Sequence, residues 1–193
     1  MSRERVRMTF YRGSVDQTAR AIEGALSGRK IPSTWKHLPP GLSMRGLEAE
    51  MPSPEGPPSG ILFASPVCPE WACFASPSED GWVTLVNAVS ASDPTLEAVF
   101  VLDDAGEAKF PARGFEVFRG GRSIRKVRVW KDDGWHFVNT GPMLPFEDPS
   151  AYSPRIIANR LTSSALSDLL LKLEIDLWAM FDDVATDARL LTA

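Results

Sequence analysis

Two near-copies of one motif, Asp80-Gly81-Trp82-Val83-Thr84-Leu85-Val86-Asn87 and Asp133-Gly134-Trp135-His136-Phe137-Val138-Asn139, constrain the fold more than anything else in the chain. Asp-Gly suits the centre of a type I′ turn, where both residues need positive φ. The Trp and β-branched residues that follow suit a packed, pleated strand. The middle of the chain is therefore expected to be antiparallel β-sheet. Strands are expected at 61–65, 70–75, 82–89, 97–102, 114–119, 123–130 and 135–140, and seven short strands in succession favour a meander. In the last hairpin, strand alternation is expected to put Arg128, Trp130, Trp135 and Phe137 on one face and Val127, Val129, His136 and Val138 on the other. Both faces are largely apolar, as in a hairpin covered on both sides.

Helical signals flank this region. Ser14-Val15-Asp16-Gln17 fits a capping box, and Val15, Ala19, Ile22 and Leu26 keep helical spacing up to Gly28, predicting a helix over 15–27. A short strand is expected at 6–11. From Pro39 to Gly60 the density of proline and glycine predicts a long loop without helix or central strand. After Pro149, Ser153 and Pro154 suit a helix start. Leu166, Leu169, Leu170 and Leu173, then Ile175, Leu177, Trp178, Phe181, Val184 and Leu190, continue apolar stripes on further helices. The expected class is α+β: an antiparallel sheet of about seven strands packed with one N-terminal helix and C-terminal helices, in one domain over residues 1–193. At 193 residues and 44% hydrophobic composition, the chain is long enough to bury about 70% of its unfolded surface without disulfides or metals.

The chemistry of the termini and cysteines points to a cytoplasmic protein. Met1 to Arg7 leads into no apolar segment, and no run approaches the roughly 18 apolar residues of a membrane span. Cys68 and Cys73 stand in Cys-Pro-Glu-Trp-Ala-Cys, which is neither a CxxC redox motif nor half of a paired zinc site, so both are read as reduced thiols. Charge is sorted along the chain. Residues 41–108 carry one basic group against eleven acidic ones, while the formal net charge is only −4. Glu70, Glu79, Asp80, Asp93, Glu97, Asp103 and Asp104 fall at expected strand ends and turns, where an acidic rim would steer a basic partner.

Catalytic constellations are sparse. Asp103, Glu107 and Lys109 resemble the carboxylates and lysine of a metal-dependent nuclease core, which needs oxygen ligands converging on a cation. The four-residue gap from Asp103 to Glu107 is too short for that geometry, and Asp103-Asp104-Ala105-Gly106 has the composition of a turn. His37 and His136 have no triad or elbow motif beside them; a remote pairing of His136 with Cys68 or Cys73 is the one thiol chemistry left open. Lys109, Arg113, Arg119, Arg122, Arg125, Lys126, Arg128 and Lys131, broken only by Glu116, interleave with Phe110, Phe115, Phe118 and Trp130. Nucleic-acid binding would need these on one face, and strand alternation is expected to divide them. Gly120-Gly121 is no phosphate loop.

The stretch Gly134-Trp135, Gly141-Pro142-Met143-Leu144-Pro145-Phe146-Glu147-Asp148-Pro149, Tyr152, Arg155, Arg160-Leu161-Thr162 and Leu169 to Leu173 resembles the C-terminal portion of small bacterial proteins, similar in overall look to immunity proteins that accompany polymorphic toxins. The resemblance covers roughly residues 115–175 and transfers no functional residue. It implies a non-enzymatic α+β protein that binds a protein partner, such as a basic toxin domain, in the cytoplasm. Glu70, Glu79, Asp80, Asp93, Asp103, Asp104 and Trp135 are the expected contact residues, and no metal or cofactor is expected. The alternatives are a metal-dependent nuclease or other hydrolase, and a structural or phage-related assembly protein.

Overall fold

The computed structural model describes residues 5–53, 55–78, 82–104 and 111–193. One antiparallel sheet of nine strands runs through it. In chain order these are β1 (Val6–Arg12), β2 (Thr34–His37), β3 (Ser59–Ala64), β4 (Trp71–Ala75), β5 (Ala98–Asp103), β6 (Ala112–Arg119), β7 (Arg122–Lys131), β8 (Trp135–Thr140) and β9 (Asp187–Thr192). Their order across the sheet is β2-β9-β3-β4-β1-β5-β6-β7-β8. The meander expectation holds for β5 to β8, whereas β1 inserts between β4 and β5 and the C-terminal β9 inserts between β2 and β3. The class is α+β, with nine strands in place of seven.

Alternation along the strands divides the interior into two cores. Face one gathers Met8, Phe10, Ile61, Phe63, Trp71, Cys73, Val99, Val101, Phe115, Val117, Val127 and Val129. Against it pack α2 (Met44–Glu50), α4 (Ser163–Leu171) and α5 (Leu177–Asp182), with 3-10 turns at Pro149–Tyr152 and Ile157–Asn159. Face two gathers Tyr11, Leu62, Phe74, Ala98, Phe100, Leu102 and Phe118 under α1 (Val15–Gly28) and α3 (Val83–Ser92). Ser14 Oγ accepts the N–H of Gln17 at 3.1 Å, so Ser14 caps the start of α1 as expected. The helix runs on through Gly28, and Lys30 at φ 59° takes the left-handed exit. Among the described residues no helix is long and apolar enough to cross a membrane.

Four expectations are corrected. Residues 83–92 form α3, not a strand, because Trp82 turns the chain in the left-handed region (φ 58°, ψ 43°) and Leu85, Val86 and Val89 then meet face two at helical spacing. Here burial overrides the β propensity of Trp and Val. The positive-φ pair is Gly120-Gly121 (60° and 76°) between β6 and β7, whereas Asp133 and Gly134 are absent from the left-handed region and close a three-residue loop with Asp132 N–H donating to Gly134 O. Asp80 and Gly81 of the first motif lie outside the described residues. The proline-rich segment contains α2, capped by Ser43 Oγ accepting from Gly46 N–H at 3.3 Å, because Met44 and Leu47 bury between Pro40 and Pro52. At the C-terminus, Ser153, the expected helix start, instead closes the 3-10 turn over Pro149–Tyr152. The true cap is Thr162, and the last apolar stripe splits into α5 and β9 because Ala188 and Leu191 alternate as a strand does.

Gly141, which ends β8, sits at φ 82°, and a Cβ there would lie 2.1 Å from the carbonyl oxygen of Ile124. Both the conformation and the closeness of a neighbouring backbone require glycine. Gly141→Ala is expected to cost about 1–3 kcal/mol from the backbone strain alone, read as a lower urea midpoint at unchanged slope. An unchanged midpoint would contradict the strand exit described here.

Candidate functional site

The described residues of the expected acidic rim are divided between the surface and the interior. Glu70 is exposed in the turn before β4, and Asp93 is half-exposed, holding the Thr95 N–H at 3.1 Å and its hydroxyl at 2.6 Å. Glu97 pairs with Arg119 at 2.6 Å, and Glu79 and Asp80 lie outside the described residues. Asp103 and Asp104 are buried rather than rimming the sheet. As successive residues at the end of β5 they diverge. Asp103 accepts from the Ser163 hydroxyl at 3.1 Å on face one, while Asp104 takes Arg7 Nη2 at 2.6 Å on face two. Burial pushes the Asp103 carboxyl above its usual range, with Ser163 and Arg113 pulling the other way. Glu107 and Lys109, the other members of the nuclease triad, lie outside the described residues. Among the described residues no three His, Cys, Asp or Glu side chains cluster to hold a metal.

The thiols are equally remote from chemistry with His136. Cys68 is pushed up to about 11 by burial, and burial also holds Cys73 well above its ordinary value, its sulfur 3.6 Å from Met180 Sδ. Both belong to the face-one core, whereas His136 projects from face two of β8. The sheet separates them.

A buried ion pair organises the end of the sheet. Arg125 and Glu147 have fully buried side chains, joined through Arg125 Nε to Oε1 at 2.8 Å and Nη2 to Oε2 at 2.6 Å. Arg125 Nη1 reaches Asn139 Oδ1 at 2.6 Å and the carbonyls of Thr140 and Gly141 at 3.0 and 3.2 Å. Glu147 also accepts the Leu144 N–H at 2.8 Å and the Tyr152 hydroxyl at 2.7 Å. The pair thus ties β7 to β8 and to the strap of residues 141–152. Burial works against the Glu147 charge, but the Arg125 bonds, the Leu144 N–H and the Tyr152 hydroxyl outweigh it and hold the carboxyl below its usual range. No motif marks this pair. Its signal was an arginine in phase with Val127 and Val129 on an inward-facing strand row, which needs a buried acid.

Beyond the lock, the last hairpin presents a face different from the expected one. Trp130 is in register with His136 and Arg128 with Val138, so these four share face two, while Trp135 and Phe137 join Val127 and Val129 on face one. The three-residue loop sets this register and shifts β8 by one face relative to the sequence expectation. Trp135 is half-buried against the face-one core, and Arg160 lies 4.8 Å over Phe137. On face two Trp130 stacks on the exposed His136 at 5.1 Å with 19° between planes, and the Arg128 guanidinium lies 5.8 Å from the Trp130 ring. Lys126, paired with Glu116 at 3.0 Å, continues the row. Basic and aromatic side chains do share a face here. Helices α1 and α3 cover the sheet from β3 to the near ends of β6 and β7, and among the described residues no helix lies over this corner.

Compared with protein-family models, with curated proteins and with solved structures, the chain matches none.

Glu147→Gln removes the charge that compensates buried Arg125 and is expected to cost about 3–5 kcal/mol at pH 7. Because the folded Glu147 carboxyl is held below its ordinary value of about 4.3, its contribution is present above that value and is lost as pH falls through the folded one. The stability gap between wild type and Glu147→Gln should therefore be widest near neutrality and shrink in acid. Urea titrations from pH 7 to pH 3 that give a constant gap would contradict the assignment.

Proposed function

We propose that this chain is a non-enzymatic binding protein that captures a protein partner, as an immunity-type inhibitor captures its toxin. The observation that carries the reading is the Trp130–His136 stack, with Arg128 beside it, on a sheet corner that, among the described residues, no helix covers. Interfaces concentrate their binding energy in Trp, Tyr and Arg anchors set in a rigid frame. The buried Arg125–Glu147 pair supplies that frame one strand row away. Support also comes from the resemblance to immunity proteins, since the stretch that carries it, roughly 115–175, spans β6 to β8, the strap and α4, the same segment that builds the corner. Asp103 and Asp104, two of the acidic residues expected to make contact, are buried, which favours the corner over them.

The product of the gene immediately upstream is the partner to test. Expressed alone in a bacterial host it is expected to arrest growth, and coexpression of this chain should restore it. Trp130→Ala and His136→Ala should each weaken the complex by about 2 kcal/mol, with His136→Ala leaving the denaturation midpoint within about 0.5 kcal/mol of wild type. An upstream product that is harmless, or that this chain neither binds nor neutralises, would contradict the immunity reading.

A further inference from the structure

The chain has two cysteines, and the fold brings both to one helix beside a methionine. Cys68 is the single buried residue of the turn 66–70 between β3 and β4, with Pro66, Val67, Pro69 and Glu70 exposed around it. The turn holds it inward, its N–H donating to Ser65 O at 3.1 Å and its carbonyl accepting the Trp71 N–H at 2.9 Å. Cys73 follows on β4, opposite Phe63 and in the same face-one core. Helix α5 meets both. Cys68 Sγ faces the backbone N–H of Asp176, the N-cap, and Cys73 Sγ lies 3.6 Å from Met180 Sδ. Met180 N–H donates to Asp176 O at 3.2 Å, so the two contact points are one turn apart, about 6 Å along the helix. A methionine on a helix leans toward the N-terminus, which carries Sδ from Cys73 toward Cys68.

The chemistry of this group is narrow. Two thiolates and a thioether are soft donors, and such sets select Cu(I) among the common metal ions. Magnesium and calcium need oxygen ligands, and closed zinc sites take four ligands drawn from cysteine, histidine and carboxylate. Among the described residues no third His, Cys, Asp or Glu side chain joins the two thiols, which leaves the methionine sulfur as the third donor. The ionised form of either cysteine disfavours ionisation of the other, as neighbours do, and a bound cation removes that conflict. A way in is short. Only the turn 66–70 separates Cys68 from solvent, and Asp183, which accepts the Ser65 hydroxyl at 2.9 Å, and Asp176 set negative charge beside it.

We propose that Cys68, Cys73 and Met180 form a three-coordinate, all-sulfur site for Cu(I). Copper enters as Cu(I) and stays so, and no electron is transferred. One Cu(I) ion displaces the proton of each thiol, two Cu–S bonds replace two S–H bonds, and two protons pass to solvent while the Met180 sulfur donates a lone pair. The bound site carries a net charge of −1, and the Asp176 N–H facing Cys68 Sγ offsets part of it. The ion would pin the turn 66–70, β4 and α5 to one another. This inference is independent of partner capture and uses no residue of the sheet corner.

Anaerobic titration of the reduced full-length chain with Cu(I), buffered by bicinchoninate as competing chelator, tests it. One Cu(I) per chain is expected, with two protons released, an unchanged far-ultraviolet circular dichroism spectrum, a thermal midpoint that rises with free Cu(I) and an X-ray absorption shell of sulfur alone. Cys68→Ala and Cys73→Ala should each weaken binding about a hundredfold or more. Met180→Leu, which keeps the volume and removes the sulfur, should weaken it about tenfold while the metal-free midpoint stays near wild type, so the test survives if a cysteine variant does not fold. The inference is overturned if all copper stays with bicinchoninate, if Zn(II) binds as tightly as Cu(I), if any folded variant of the three keeps wild-type affinity, or if copper is taken up only as the circular dichroism of the folded chain is lost.

Discussion

Arg125 holds a full positive charge where no water reaches it, and the last third of the chain is arranged around that fact. Moving a guanidinium out of water costs several kcal/mol unless charge and hydrogen bonds replace the lost hydration. Here its Nε and Nη2 meet the two oxygens of Glu147, and its Nη1 meets Asn139, Thr140 and Gly141. Those partners come from a strand, a turn and a strap that nothing in the local sequence joins. Leaving either charge unpaired is so unfavourable that the pair selects one seating of residues 139–152, a gain in specificity more than in net stability.

Strand periodicity and turn chemistry made much of the sheet legible, as β1 and β3 to β8 each fall close to an expected strand or, for β1, an expected short one. What they could not show was long-range pairing. The insertion of β9 beside β3 depends on contacts across most of the chain, and its Ala188 and Leu191 look helical when read as a continuation of α5. The segment 82–89 failed for the opposite reason. Its Val and Leu residues satisfy either period, and the decision fell to the surface they met, the Leu62, Phe74 and Phe100 side of the sheet.

At the candidate site the aromatic hairpin was legible and its use was not. Trp135 stood out in the sequence, but a one-residue difference in loop register put it against the core and exposed the Trp130 and His136 row instead. Asp103 and Asp104 looked like solvated turn residues, yet the ladder continues through Asp104 N–H to the carbonyl of Ala112 at 2.7 Å, which carries both carboxylates into the interior. Arg125 and Glu147 left almost no trace, because a buried ion pair 22 residues apart has no spacing rule. Among the described residues, the two faces are covered unequally. Face one is closed by the strap and C-terminal helices, while α1 and α3 end before they reach β8.

Amide hydrogen exchange resolved by residue along β8 tests most directly whether the buried pair is what presents this edge. In the wild-type protein the amides of His136, Val138 and Thr140 should be protected and those of Trp135, Phe137 and Asn139 should exchange quickly. In Arg125→Met the first set should lose its protection while the central strands β1 and β5 retain theirs. Protection of β8 that survives the substitution, or fast and slow amides in the opposite phase, would contradict the account.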